Sequence, residues 1–236
     1  MNRAILASTV IGAIAIMMIT STMPAYSTHV DLTSLDVPTD PPNCNGEDAN
    51  VWYDQTLVDD PENTKGYNFW VVDYTGEEFT PVKLKENKKS DSPRGFVISG
   101  DLGDDKDDVI IGSPWGDKIS SGKGENNVCS RDGNDQISGS RMKDNLFGGS
   151  GEDDIRGGNG MDFLCDGYDI NDPAYTGDTS CQNDTESDKL DGGGGNDIID
   201  ADDDPIDTWN GGRGDDTCPD LGSDVENNDV SCEITS

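Results

Sequence analysis

A nine-residue period in the second half of the chain constrains its fold more than any other feature. Counted from Gly103, seven consecutive blocks over residues 103–165 carry Asp or Asn at the sixth place and an aliphatic residue at the eighth. The phase is lost over residues 166–182, returns over 183–200 and continues after one inserted residue, Ala201. Such blocks predict short stacked strands, each with one inward apolar side chain. The sixth-place residues are Asp108, Asp117, Asn126, Asp135, Asp144, Asp153, Asp162, Asp188, Asp197, Asp207 and Asp216.

Four blocks also carry glycine at the first, second and fourth places. Glycine permits the left-handed backbone of tight turns, which can direct carbonyl oxygens at a shared point. The sixth-place carboxylate adds charged oxygen, and Ca²⁺ is a hard ion that takes six to eight oxygen ligands. The spacing therefore predicts cation binding at the turns. The turn glycines are Gly148, Gly149, Gly151, Gly157, Gly158, Gly160, Gly192, Gly193, Gly195, Gly211, Gly212 and Gly214.

These four blocks read GGSGEDDIR, GGNGMDFLC, GGGGNDIID and GGRGDDTCP. Over roughly residues 100–219 the chain resembles the RTX, or haemolysin-type, calcium-binding repeats with the pattern G-G-x-G-x-D-x-U-x. The resemblance implies an all-β fold, a right-handed parallel β-roll in which two nonapeptides form one turn. It also implies several Ca²⁺ ions between stacked Gly/Asp turns, with blocks two apart along the chain sharing an ion.

The repeats are unequal, and so are the candidate ligands. Ser113-Pro114-Trp115, Ser130-Arg131 and Ser140-Arg141-Met142 replace turn glycines, which predicts weak or empty sites in these turns. Asn126 lacks the charge, and Asp207 lies in a block without the glycines. A turn-forming, solvated Asp is the alternative at each sixth place. The strongest candidates are Asp153, Asp162, Asp197 and Asp216, followed by Asp188 and Asp135.

The charge balance narrows the functional classes. The chain carries 49 acidic and 16 basic residues, a net charge of -33, with 31% hydrophobic residues. So strong an anion repels nucleic acid and acidic membrane surfaces. Low hydrophobicity with high net charge normally predicts disorder. Divalent ions would offset both the repulsion and the small core, so we expect folding and calcium binding to be coupled.

The segments outside the repeats have distinct compositions. Residues 1–27 are predicted to be a secretory signal peptide, with an uncleaved anchor as the alternative, which predicts a secreted or cell-surface protein. A polar, Pro-containing linker over 28–43 precedes a small β-rich cap over 44–99, which contains a hairpin around Thr75-Gly76. A loop over 166–182 is inserted into the roll, and residues 220–236 form a C-terminal cap.

Six cysteines fit an exported chain. The short polar loops favour Cys165–Cys181 and Cys218–Cys232, which leaves Cys44–Cys129; free thiols are the alternative. No CxxC pair occurs and His29 is the only histidine, which argues against a Cys/His zinc site.

The function expected from the sequence is a secreted calcium-binding repeat protein with a structural or surface role. The alternative is a calcium-rigidified adhesion module, in which the Trp/Tyr-rich segment 50–80 or the inserted loop binds a cell-surface glycan or protein. An extracellular hydrolase is a distant third, and we expect no enzyme, because the lone histidine lies outside any predicted domain. No nucleic-acid partner and no membrane span in the mature chain are expected.

Overall fold

The computed structural model describes residues 35, 38, 41–72, 79–88, 94–102, 107–169, 181–182, 185–201, 207–218 and 232–234. The predicted signal peptide, most of the predicted linker and most of the predicted C-terminal cap lie outside these residues. Almost all described regular structure is β-strand, with one helical turn, α1 (Gln55–Asp59), and a short 3-10 helix (Gly100–Leu102).

The strands are short, most of them two to six residues, as a nine-residue repeat requires. In chain order they are β1 (Asn43–Cys44), β2 (Glu47–Asp48), β3 (Val51–Tyr53), β4 (Phe69–Val72), β5 (Phe79–Val82), β6 (Lys85–Glu86), β7 (Arg94–Ser99), β8 (Val109–Ile111), β9 (Gly116–Ser120), β10 (Asn127–Cys129), β11 (Gln136–Ser138), β12 (Asn145–Phe147), β13 (Asp154–Asn159), β14 (Phe163–Cys165), β15 (Tyr168–Asp169), β16 (Cys181–Gln182), β17 (Lys189–Gly194), β18 (Ile198–Asp200), β19 (Thr208–Arg213), β20 (Asp216–Cys218) and β21 (Cys232–Ile234).

Two sheets build a parallel β-solenoid of about five turns, which confirms the predicted all-β roll. Alternate blocks contribute to alternate sheets. One sheet has the order β21-β20-β18-β14-β12-β10-β8-β3-β4-β5, and the other has the order β19-β17-β13-β11-β9-β7-β6. Blocks two apart stack in parallel register, so that Val128 faces Leu146 and Ile137 faces Ile155. One coil is therefore two blocks, as expected.

The core is a line of eighth-place side chains between the two sheets. Each buried aliphatic side chain contributes about 2 kcal/mol of hydrophobic stabilisation. Trp209 is partly buried against the same core. The buried eighth-place residues are Ile110, Ile119, Val128, Ile137, Leu146, Ile155, Leu164, Leu190, Ile199 and Cys218.

The segment before the repeats joins both sheets directly. Strand β3 pairs in parallel with β8, and β7 pairs in parallel with β9, so these strands form the first coil. Strands β4 and β5 pair antiparallel, which confirms the predicted hairpin strands; the turn residues 73–78 lie outside the described part. Helix α1 was not expected from the strand-like pattern; Asp54 caps it by accepting from the Thr56 amide at 2.8 Å.

An aromatic cluster fills the core of this first coil. Tyr53 contacts the rings of Phe69, Phe96 and Trp115 at centroid distances of 5.6, 5.6 and 5.4 Å. Trp52 and Trp70 are also buried, at 3% and 0% exposure. The aromatic side chains that made a glycan-binding surface conceivable are thus mostly interior.

Two predicted disulfides are present. Cys44–Cys129 joins the N-terminal segment to β10, and Cys165–Cys181 closes the inserted loop, whose base is the antiparallel pair β15–β16. Cys218 is also disulfide-bonded, while the side chain of Cys232 lies outside the described residues. Strand β21 nevertheless pairs with β20 in parallel.

Candidate metal centres

The sixth-place side chains form two buried columns, one beside each sheet. All eleven are at most 4% exposed, so none of them is the solvated turn residue considered as the alternative. Stacking of coils brings each side chain next to its counterpart one coil away. The first column holds Asp108, Asn126, Asp144, Asp162, Asp197 and Asp216, and the second holds Asp117, Asp135, Asp153, Asp188 and Asp207.

One carboxylate oxygen of each acid links consecutive coils. The Asp162 Oδ1 atom accepts a hydrogen bond from the Asp144 amide at 2.9 Å, and Asp197 Oδ1 accepts from the Asp162 amide at 2.8 Å. The same bond recurs in the second column, where Asp153 Oδ1 accepts from the Asp135 amide at 2.8 Å. Hydrogen bonds to ionised groups are stronger than neutral ones, so the columns connect the coils along the roll.

The second carboxylate oxygen has a different environment in the full-motif turns. The Oδ2 atoms of Asp162, Asp197 and Asp216 are buried and accept no hydrogen bond from any described residue. A buried polar atom without a partner costs about 1–3 kcal/mol, and more when it is charged. A bound cation would give these three oxygens the partner that the described residues do not supply.

Glycine at the first place allows the backbone to pack closely against these oxygens. A Cβ on Gly157 would lie 2.6 Å from Asp162 Oδ2 and 2.6 Å from the Gly192 carbonyl oxygen of the next coil. A Cβ on Gly192 would likewise lie 2.6 Å from Asp197 Oδ2 and 2.6 Å from the Gly211 carbonyl oxygen. The missing side chain thus lets a carboxylate of one coil and a carbonyl of the next pack against the same glycine. Carboxylate and carbonyl oxygens are the ligands that Ca²⁺ prefers.

The other turn glycines shape the backbone around these oxygens. The second-place and fourth-place glycines of the four full blocks have φ between 96° and 146°, which side chains rarely adopt. The first-place glycines 148, 157, 192 and 211 are needed for this close packing, because a side chain there would overlap carboxylate or carbonyl atoms.

The electrostatics of the columns favour a neutralising partner. Burial raises the pKa of Asp162 to about 7, against a hydrogen bond from the Asp144 amide that lowers it. Burial also raises the pKa of Asp197 and of Asp144. For Asp135, burial raises the pKa well above its usual range, and the negative charge of Asp153 adds to that effect. Close, buried carboxylates disfavour one another's ionisation, which a divalent ion would reverse.

Two turns without glycine at the second place differ. Asp117 Oδ2 accepts hydrogen bonds from the Ser113 amide at 2.7 Å and the Ser113 hydroxyl at 3.0 Å. Asp144 Oδ2 accepts from the Ser140 amide at 2.6 Å. Burial nevertheless raises the pKa of Asp117 to about 7, although the Ser113 and Phe96 amides lower it. Protein donors here occupy the oxygen that is open in the full-motif turns.

A third arrangement of acids lies where the loop is inserted. Carboxylate oxygens of Asp166, Asp188 and Asp207 lie within 4.8 Å of one another, and all three side chains are buried, so they could hold a metal ion. The neighbouring group of Cys165, Asp166 and Cys181 lacks thiolates, because its cysteines form a disulfide. Asp166 occupies the position of a first-place residue in a nine-residue block. Its amide donates to the Asp200 carbonyl, just as the amide of the first-place Gly148 donates to the Cys165 carbonyl.

Two side chains that contact the columns, Asp166 and Asn50, were not predicted as site residues. Asp166 is the first residue after the phase is lost, and extending the period by one residue would have placed it. Asn50 lies before the repeats; its Nδ2 donates to Asp108 Oδ1 at 2.6 Å and its Oδ1 accepts from the Val109 amide at 2.8 Å, so it caps the first column. Asn126 also lies in that column, donating to Asp144 Oδ1 at 2.7 Å.

Within the described residues, no helix is both long and apolar enough to cross a membrane. Comparison with known proteins leaves the chain without a match among protein-family models, curated proteins and solved structures.

Proposed function

We propose that this chain is a secreted calcium-binding repeat protein with a structural or surface role, whose roll completes its folding as it binds several Ca²⁺ ions. The observation that carries the proposal is the buried Oδ2 atom without a donor at Asp162, Asp197 and Asp216, with a glycine carbonyl of the next coil beside it at Asp162 and Asp197. These oxygens suit a hard cation, and the repeat pattern supports Ca²⁺ in particular.

The residues that would hold the ions follow from this arrangement. In the full-motif turns, the sixth-place carboxylate and the first-place glycine carbonyl of the next coil would supply oxygens. When bound, Ca²⁺ would supply the positive charge that offsets repulsion along each column. The described disulfides are compatible with an extracellular location, as the predicted signal peptide suggests.

Calcium titration of the chain from residue 28 onward tests the proposal. Calorimetry with parallel circular dichroism should give several bound Ca²⁺ ions per chain and a rise in β-sheet signal, whereas Mg²⁺ at equal concentration should bind more weakly because it prefers a rigid octahedral shell. A spectrum and a heat signal that are both indifferent to calcium would contradict the proposal.

A surface-recognition role is the second candidate, and the described structure favours it less. Trp52 and Trp70 are buried, so these aromatic side chains are not available to stack on a sugar ring. The inserted loop remains a candidate contact, and a glycan array with the calcium-loaded protein would test it.

A further inference from the structure

The turns of the roll fall into two backbone classes. Among the described positive-φ residues at the second place are Gly158 at 108°, Gly193 at 98° and one non-glycine, Arg131, at 80°. Ser113 and Ser140 also stand at the second place, but neither has a positive φ.

The sign of φ at the second place correlates with whether the Oδ2 atom of the sixth-place Asp in the same turn accepts a hydrogen bond. Ser113 and Ser140 turn their amides onto the Oδ2 atoms of Asp117 and Asp144, at 2.7 and 2.6 Å. In the turns with Gly158 and Gly193, these glycines extend β13 and β17 and lie in register with each other, and the Oδ2 atoms of Asp162 and Asp197 accept no hydrogen bond from the part of the chain that the structure describes. The backbone conformation at the second place therefore determines whether the protein donates a hydrogen bond to the Oδ2 atom of the sixth-place carboxylate; we call a turn closed where it does and open where it does not.

The turn with Arg131 follows the same rule. Its second-place residue has positive φ, and the Oδ2 atom of Asp135 is buried without a hydrogen-bond donor. The Ser130 hydroxyl lies in the same turn; it donates toward the carbonyls of Phe147 and Gly148, and its interaction with the Asp135 carboxyl lowers the pKa of that group.

We propose that the second-place residue selects which turns take a cation: serine at 113 and 140 replaces the ion with amide and hydroxyl donors, while left-handed residues leave the carboxylate open to Ca²⁺. This inference rests on the proposed function and refines it. Both carboxylate oxygens of Asp117 and Asp144 accept hydrogen bonds from the protein, whereas Asp162 and Asp197 link coils through Oδ1 and leave Oδ2 for a cation.

Paired substitutions in the first column test the selection. Asp144→Asn and Asp197→Asn are matched, because both side chains accept an amide hydrogen bond from the preceding coil, from Asn126 and Asp162 respectively. Bound calcium per chain, counted by equilibrium dialysis and elemental analysis, should be unchanged in Asp144→Asn and lower by at least one ion in Asp197→Asn. Thermal melting without metal should show the reverse order, with Asp144→Asn the less stable variant.

Completing the motif in a closed turn tests the selection in the other direction. Ser140→Gly with Met142→Gly converts residues 139–144 to G-G-R-G-K-D, and Met142 is 50% exposed, so its removal costs little core. The double variant should bind one more Ca²⁺ ion than the wild type. Met142→Gly alone, which keeps the Ser140 donor, should bind the same number as the wild type.

The outcomes separate the two proposals. A wild-type chain that binds no calcium overturns the proposed function and this inference with it. A wild-type chain that binds calcium, with equal ion loss in Asp144→Asn and Asp197→Asn, overturns the inference alone. If the double variant does not melt cooperatively and is therefore unfolded, the calcium counts of Asp144→Asn and Asp197→Asn alone test the inference.

Discussion

The N-terminal coils, residues 107–147, and the C-terminal coils, the described residues from 148 to 218, share one period but stabilise their carboxylates differently. The N-terminal coils contain both serine-closed turns, the Cys44–Cys129 disulfide and contact with the aromatic cluster. The C-terminal coils contain the four full-motif glycine turns, the six-residue strands β13, β17 and β19, and the open carboxylates of Asp162, Asp197 and Asp216, whereas Asp135 is open in the N-terminal coils.

The difference shows that the second carboxylate oxygen of a repeat can find its partner in the protein, as a serine donor, or in solution, as a cation. At the N-terminal end, the serine donors at 113 and 140, the long-range Cys44–Cys129 cross-link and large apolar side chains contribute stability that needs no ion. The other end buries charged oxygens whose partner must be supplied. We therefore expect the N-terminal coils to act as a permanent base on which the C-terminal coils order.

The largest expected effect concerns that base. Cys44→Ala with Cys129→Ala removes a cross-link with a sequence separation of 85 residues. It should lower the free energy of unfolding by about 4–5 kcal/mol, because a long loop regains its freedom in the unfolded chain. Urea unfolding in saturating calcium, in which both ends of the roll are ordered, measures the effect.

The matched control is Cys165→Ala with Cys181→Ala, which opens a loop with a separation of 16. This pair should cost about 3 kcal/mol. If the two pairs cost the same, or if the second costs more, the N-terminal coils are not the more dependent on their cross-link.

The second effect is a pH dependence of the metal-free chain. The folded pKa values of Asp117 and Asp162 are raised to about 7, above those of an unfolded Asp near 3.9. The unfolded chain then releases these protons first, so the stability they contribute is present below about pH 4 and declines as pH rises toward 7.

Melting temperatures in metal-depleted buffer between pH 4 and pH 8 should therefore fall as pH rises. Saturating Ca²⁺ should remove the trend or reverse it, because the ion binds the ionised form. A metal-free chain that becomes more stable from pH 4 to pH 8 would contradict the conclusion that burial raises the pKa of these carboxyl groups.

A smaller effect distinguishes two adjacent glycines in the C-terminal coils. Gly193 has φ of 98° and no room for a Cβ beside the Gly158 carbonyl, whereas a Cβ on Gly194 would meet only Asn159 Oδ1 at 3.4 Å. Gly193→Ala should cost about 1–3 kcal/mol of stability in saturating calcium. Gly194→Ala should be nearly neutral, and equal costs would show that the turn conformation is not what matters.

The smallest effect is expected on the outer surface. Arg156 pairs with Asp154 at 2.8 Å, but its side chain is 54% exposed. Arg156→Ala should change stability by about 0.5 kcal/mol or less and leave the number of bound calcium ions unchanged. A change in ion number would mean that the outer face, and not only the columns, contributes to binding.

Much of this architecture could be predicted because the period repeats it. The alternation of Ile137, Leu146 and Ile155 between the two sheets follows from counting in nines, and so does the stacking of Asp144 on Asp162. The disulfide Cys165–Cys181 follows from the short loop that it closes.

Other features depend on contacts that a period does not encode. The parallel pairing of Val51 with Ile110 joins segments far apart in sequence, and nothing in residues 50–53 marks it. The role of Ser140 depends on the direction of its amide, which follows from its backbone torsion and not from its residue type alone. Asp166 was missed because the insertion hides its place in the coil.

The amide-to-carboxylate bonds of the columns all run in one direction: each coil donates, and the following coil accepts. A coil is thus completed only when its successor arrives with a side chain at the sixth place. A chain that is synthesised from its N-terminus would deliver these acceptors in the order in which they are needed. Assembly would then be vectorial, each new turn locking the one before it as the chain emerges.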